Sequence, residues 1–169
     1  NVNSETTFLW ETWGGNLKNQ QSTPNTTSVF IDKTNIKDVS KLCQYKQMFG
    51  FSSYGFTTVY RSNDSLYGII TDFSGHITNI NLDTCNLLWK THIGSVLGNA
   101  NMIYATRNGV SLFKDSLGRE GVIFGTPNLP SPTVPANATR YIVALNLHNG
   151  TLMFKVPVSG TSTFASENN

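Results

Sequence analysis

The chain has 169 residues, of which 38% are hydrophobic and 11% aromatic, proportions that favour a globular domain over a disordered segment. Only 13% are charged, the formal net charge is +2, and no run of Lys or Arg interleaves with aromatics. We therefore expect neither nucleic acid nor an anionic membrane as a partner. No segment approaches the roughly 18 consecutive apolar residues of a transmembrane helix, so no membrane span is expected.

The N-terminus and the composition favour a secreted protein. The chain begins at Asn1, not at Met, which we interpret as a processed, extracellular chain. A surface rich in Ser, Thr and Asn suits a protein whose solubility comes partly from glycans. In an oxidising compartment the two cysteines, Cys43 and Cys85, would form a disulfide that stabilises by about 3–4 kcal/mol. The alternative is two buried thiols in a cytosolic protein.

Short β-type runs, separated by Gly, Asn, Asp and Ser, follow one another along most of the chain. Residues 1–9 form an extended segment that could be donated as a strand, because Val2, Thr6 and Phe8 suit one buried face. Thr34 could cap a short helical turn over 34–39. The β-type runs are 56–60, 66–70, 76–82, 87–90, 109–113, 121–124, 141–147 and 152–156. No stretch of helical length carries a sustained 3.6-residue apolar period, so the sequence predicts an all-β fold.

A shift of 65 residues reveals an internal repeat, in which Ile77–Lys90 aligns with Ile142–Lys155. Each copy has a strand, a polar turn and a second strand with a large aromatic, which is Trp89 in the first copy and Phe154 in the second. We interpret these two aromatics as packing one blade against the next. With the preceding pair of runs, each copy makes the four antiparallel strands of a β-propeller blade. Two ordinary hairpins of similar composition are the alternative.

The repeat divides the chain into four parts. Residues 1–9 precede the blades, 10–98 form the first blade with its initial strand, 99–159 form the second blade, and 160–169 are a polar C-terminal tail. The predicted fold is therefore two antiparallel four-stranded propeller-type blades in an open, unclosed arrangement.

The first copy resembles the blade signature of pyrroloquinoline-quinone (PQQ) dehydrogenase-like propellers. That signature runs Gly-x-hydrophobic-x-Ala-hydrophobic-Asp, then Thr-Gly, then a Trp four residues later, and Gly75–Lys90 follows it with Cys85 at the turn glycine. Residues 141–155 resemble it again, with Gly150 at the turn and Phe154 for the Trp. Residues 10–19 and 34–42 are similar to N-terminal motifs of the family. The polyvinyl-alcohol-dehydrogenase-like branch is the most similar.

The resemblance implies a propeller of about seven or eight blades with the cofactor over the central axis, whereas this chain holds about two. The calcium-binding and catalytic carboxylates of such enzymes come from blades that this chain lacks. We therefore assign no catalytic residue, and we expect PQQ and calcium only if the chain belongs to such an enzyme.

No residue pattern predicts a catalytic or metal site. The carboxylates lack metal-ligand spacing, and His76, His92 and His148 are scattered along the sequence. Four N-glycosylation sequons begin at Asn25, Asn63, Asn137 and Asn149. The predicted hairpin turn at Asn149 and the Pro-rich loop at Asn137 are expected to be exposed.

Two blades cannot close a ring, so blade faces and outer strands are left open. The favoured hypothesis is a secreted structural glycoprotein that self-assembles through open blade edges or strand donation into an extracellular fibre, without catalysis. Its expected partners are other copies of itself and covalent glycans. The alternatives are an N-terminal fragment of a PQQ-dependent alcohol dehydrogenase-like enzyme and a non-catalytic binding or scaffold module.

Overall fold

A computed structural model of the chain describes residues 7–10, 57–104, 110–126 and 138–158. These residues form an all-β fold with one short helix, which confirms the predicted fold class. The elements are β1 (Thr7–Trp10), β2 (Thr58–Ser62), β3 (Ser65–Thr71), β4 (His76–Asn81), β5 (Leu87–His92), α1 (Ile93–Leu97), β6 (Ser111–Lys114), β7 (Glu120–Gly125), β8 (Arg140–Asn146) and β9 (Leu152–Val158).

The strands form two antiparallel sheets, each built as a meander of consecutive neighbours. The first sheet has the order β1-β2-β3-β4-β5 and the second has the order β6-β7-β8-β9. All eight β-type runs of the sequence correspond to observed strands. The first sheet has five strands because β1 adds at its edge, where Thr7 pairs with Arg61 and Phe8 with Tyr60. The N-terminal segment therefore supplies a strand that covers the β2 edge of its own sheet.

Tight polar turns set the register of the hairpins. At the β2–β3 turn, Asn63 and Asp64 both have positive φ, 48° and 63°, as a two-residue type I′ hairpin requires. In the β4–β5 turn the Asn81 carboxamide accepts from the backbone N–H of Asp83 and Thr84, both at 2.9 Å. Asn146 plays the same part in the β8–β9 turn. These two turns stand 65 residues apart and share their hydrogen-bond pattern.

The two sheets pack face to face around one hydrophobic core. Because side chains alternate between the faces of a strand, each sheet sends one set inward. The first sheet contributes Tyr60, Ile69, Ile77 and Trp89, and the second contributes Leu112, Val122, Phe124, Val143 and Leu145. Most of these side chains are less than 2% exposed, so the junction between the sheets is the main apolar core of the described residues.

Helix α1 follows β5 and was not predicted. His92 is its N-cap, with Nδ1 accepting from the Ser95 backbone N–H at 3.3 Å, and Gly98 ends it in the left-handed region at φ 93°. Five residues are too few to produce an apolar period in the sequence. The turn predicted over 34–39 lies outside the described residues. No described helix is long and apolar enough to cross a membrane.

Candidate functional site: the open face of the second sheet

The junction between the sheets is fixed by Trp89 of β5. Its indole Nε1–H donates to the backbone carbonyl of Leu147 at 2.8 Å. Its ring lies against Gly150, where an added Cβ would come within 2.6 Å of Trp89 Cε3. Gly150 also has a φ of 69°, a left-handed conformation that is energetically unfavourable for a residue with a side chain. Position 150 therefore needs glycine both for its backbone conformation and for the aromatic packed on it.

Asn79 of β4 is fully buried and makes a second hydrogen bond between the sheets. Its Nδ2 donates to the Leu147 carbonyl at 3.1 Å and to the Tyr60 hydroxyl at 2.7 Å. Because a carbonyl can only accept, the amide orientation is fixed. Among the described residues, Asn79 Oδ1 has no hydrogen-bond partner. Burial raises the pKa of Tyr60 to about 12, against the opposing effect of the Asn79 hydrogen bond.

Two threonines add further hydrogen bonds across the junction. We call the four donors Thr58, Asn79, Trp89 and Thr91 the polar seam. Thr58 Oγ1 donates to the Val110 carbonyl at 2.7 Å, and Thr91 Oγ1 donates to the Gly150 carbonyl at 2.8 Å. With Asn79 and Trp89, four side chains of the first sheet thus donate to backbone carbonyls on the second-sheet side. Such directional bonds fix how one sheet sits on the other, whereas apolar contacts alone allow sliding.

The register places three of these four donors in one row across the first sheet. Thr58 lies opposite Ile69, Ile69 opposite Asn79, and Asn79 opposite Trp89. The matching row of the second sheet runs Ser111, Ile123, Ala144 and Phe154. Ala144 and Phe154 stand 65 residues after Asn79 and Trp89. The sequence repeat therefore gives each sheet an equivalent face. In the first sheet this face packs in the junction, whereas in the second sheet it points away from the junction.

This second face is exposed along β9, whereas Ala144 at its centre is buried. Phe154 is 39% exposed, Val156 47% and Val158 37%. The Phe113 ring packs against Gly121 and lies 6.3 Å from the Phe154 ring, centroid to centroid. We call this surface the open face and define it by Phe113, Ile123, Ile142, Phe154, Val156 and Val158. Contiguous apolar patches of this kind mark interaction surfaces.

The two aromatics that the sequence assigned to blade packing have different environments. Trp89 is 7% exposed and joins the two sheets. Phe154 packs against no second sheet among the described residues. Its place in the repeat is that of Trp89, but the sheet that would cover it is not part of the described structure.

The outer edges of the sheets differ in how readily they could accept another strand. β1 covers β2, and β9 carries Lys155 and Pro157, residue types that blunt an edge. Pro157 has no backbone N–H, and Lys155 Nζ donates to the Leu97 carbonyl at 3.3 Å. β6 has only four residues. β5 is the more open edge, with Leu87 48% and Leu88 42% exposed.

Two of the three histidines, scattered in the sequence, are brought together by the β4–β5 register. His76 pairs with His92, and their ring centroids lie 4.9 Å apart. Ser74 Oγ donates to buried Asp72 at 2.6 Å and lies 2.7 Å from His76 Nδ1. Since the serine proton goes to the carboxylate, His76 Nδ1 is the donor to Ser74 Oγ. Register pairing was the signal that could have found this pair.

The electrostatics of the pair favour neutral rings. Burial lowers the pKa of both histidines below the usual value, and Lys90 lowers that of His76 further, while Asp72 opposes the shift in each. The third histidine, His148, lies 3.1 Å from Glu120 at the surface. In the part of the chain that the structure describes, no three His, Cys, Asp or Glu side chains form a group that could hold a metal ion.

Two of the four predicted sequons lie at described hairpin turns. Asn63 and Asn149 are exposed, and Asn149 Oδ1 accepts from the Thr151 N–H and hydroxyl at 3.0 and 2.7 Å. Asn25 and Asn137 lie outside the described residues. Cys85 is not a free thiol, but Cys43 also lies outside them, so the Cys43–Cys85 pairing stays a prediction.

Comparison with known proteins adds no family assignment to this geometry. No protein-family model matches the chain, and a search of curated proteins finds no significant match.

Proposed function

We propose that this chain is a secreted structural glycoprotein that self-assembles through its uncovered sheet surfaces into an extracellular fibre. The observation that carries the proposal is the open face, with Phe154, Val156 and Val158 between 37% and 47% exposed. An antiparallel sheet can leave a polar face in water, but this sheet carries apolar side chains on both faces, and an exposed apolar patch typically marks a contact surface. Another protein surface is therefore the natural cover for this one.

The exposed sequons support the glycoprotein part of the proposal. Asn63 and Asn149 are placed in turns beyond the strand ends, and neither belongs to the open face. Glycans there would add hydrophilic bulk to a surface with few charges. They would leave the apolar strands available for contact with another molecule.

Expression of the full chain in a eukaryotic secretory host tests both parts. Electron microscopy and light scattering of the secreted protein at micromolar concentration should detect assemblies, and a protein that remains monomeric would refute self-assembly. Intact mass should fall on treatment with a glycosidase. The variants Asn63→Gln and Asn149→Gln should each lose one glycan, with Asn86→Gln, which lies outside any sequon, as the matched control.

A part of a PQQ-dependent dehydrogenase-like propeller is the second candidate. It is favoured by the contact between Trp89 and the Gly150 turn, because these are the Trp and turn-glycine positions of the signature that the sequence resembles. The described residues offer no group that could hold calcium, so no residue is assigned to PQQ or calcium. Redox turnover of an alcohol on addition of both would favour this candidate, and its absence in a chain that forms fibres would exclude it.

A further inference from the structure

We propose that the open face binds the open face of a second copy of the chain, forming a reversible two-fold dimer. This inference rests on the proposed function and names one of the contacts in the fibre, because a two-fold contact closes and a second surface must join the dimers.

The chain already shows how a sheet covers the corresponding face of the first sheet. There, Thr58, Asn79, Trp89 and Thr91 donate to second-sheet carbonyls. On the open face the equivalent residues are Ser111, Ala144, Phe154 and Val156, by register and by the 65-residue shift. Three of the four donors have become side chains that cannot donate.

This replacement bears on what can cover the face. A covering sheet like the second sheet would present backbone carbonyls that need donors, and buried carbonyls without donors are costly. At the junction, Asn79 and Trp89 donate to the Leu147 carbonyl. At the equivalent positions of the open face stand Ala144 and Phe154, whose side chains cannot donate. A partner that is itself apolar and without such carbonyls fits better. The open face of another copy meets that description, and an isologous contact requires such self-complementarity.

The size of the face sets the strength of the contact. The four strands have 4, 6, 7 and 7 residues. At about 4.8 Å between strands and about 3.3 Å per residue, they give a face of roughly 400 Å². Two such faces together remove roughly 800 Å² from water, below the range of standard stable interfaces. The contact should therefore be weak and reversible, with a dissociation constant in the micromolar range.

The β9 edge beside the face favours face-to-face packing over strand addition. Pro157 lacks the N–H that a new ladder would use, and Lys155 is engaged with the Leu97 carbonyl. The side chains of Phe154 and Val156, by contrast, project from the face and remain 39% and 47% exposed. Association through side chains is thus available where association through the backbone is blunted.

Sedimentation velocity over a concentration series of the full chain tests the inference. The variant Val156→Lys places a charge in the proposed contact, and Phe154→Ser removes its largest side chain. The control is Leu117→Lys, which makes a similar change at a residue that is 77% exposed in the β6–β7 turn. Circular dichroism establishes that each variant is folded. Should Phe154→Ser fail to fold, Val156→Lys carries the test, because its side chain is the most exposed on the face.

The wild type and the control should self-associate alike, and the two face variants at least tenfold more weakly. Burying the unpaired charge of Val156→Lys, or losing the apolar ring in Phe154→Ser, each costs more than about 1.4 kcal/mol. Hydrogen exchange should slow with concentration in β9 and not in β5. If all variants associate like the wild type, the inference is wrong while self-assembly through another surface stands. If the wild type stays monomeric throughout, both the inference and the proposed function fail.

Discussion

The Leu147 carbonyl offers a test of how the two sheets are held together, because two donors share it. Trp89 Nε1 lies 2.8 Å and Asn79 Nδ2 3.1 Å from this oxygen. Replacing Trp89 with Phe, the residue of the second repeat, removes one donor and part of a ring that is only 7% exposed. We expect a loss of about 1.5–3 kcal/mol in the free energy of unfolding, from the hydrogen bond and the volume left unfilled.

The sharper prediction concerns the double variant. Asn79→Ala, which also copies the second repeat, leaves the carbonyl bonded to Trp89, and Trp89→Phe leaves it bonded to Asn79. Together they leave a buried carbonyl without either donor. The double variant should therefore lose about 1–2 kcal/mol more than the two single losses combined.

Urea unfolding of the four proteins, with the slope m compared between them, measures this coupling. Phe154→Leu is the matched control, because Phe154 occupies the repeat position of Trp89 but is 39% exposed, and it should cost less than about 1 kcal/mol. Additive losses for Trp89→Phe and Asn79→Ala would refute the shared-acceptor reasoning. A loss below about 0.5 kcal/mol for Trp89→Phe would refute the role of Trp89 at the junction.

The variant Gly150→Ala should lose about 2–4 kcal/mol in the free energy of unfolding, since the added Cβ meets Trp89 and Thr91 at 2.6 Å. The control Gly118→Ala has a similar φ of 76° and open space around it, so it should lose only about 1 kcal/mol. Equal losses in urea unfolding would contradict the role of packing at Gly150. The raised pKa of Tyr60 means that folding favours its neutral phenol, so this contribution to stability is complete below pH 10.0 and is lost towards pH 12. Ultraviolet titration should detect one tyrosine that ionises near pH 12, and this late ionisation should be missing from the variant Tyr60→Phe. Burial lowers the pKa of His92, so folding favours its neutral ring, and this contribution to stability is present above pH 6.5 and is lost as the pH falls. The variant His92→Asn, which retains a capping side chain, should flatten the acid side of the stability profile measured by urea unfolding. An unchanged acid slope in His92→Asn would contradict this contribution.

The sequence predicted the strands well because their signal is local. Alternating residues and Asn- or Gly-containing turns set β4–β5 and β8–β9, and the 65-residue shift identified Trp89 and Phe154 as equivalent. It could not say that one would be buried and the other exposed, because that depends on whether a neighbouring sheet exists. Nor could it place His76 beside His92, which needs the register between two strands, or detect α1, whose caps at His92 and Gly98 enclose only five residues.

The pairing of β1 with β2 has a consequence for the order of folding. Every other strand in the first sheet joins its neighbour in sequence through a short turn, whereas Thr7 and Arg61 close a loop of about 50 residues. Closing this loop is entropically the most demanding step of the sheet, so β2–β5 should form first and β1 should add last. Until it does, the β2 edge is open to β1 of any molecule nearby. At high concentration the same strand could therefore complete the sheet of a neighbour, exchanging a local link for one between chains.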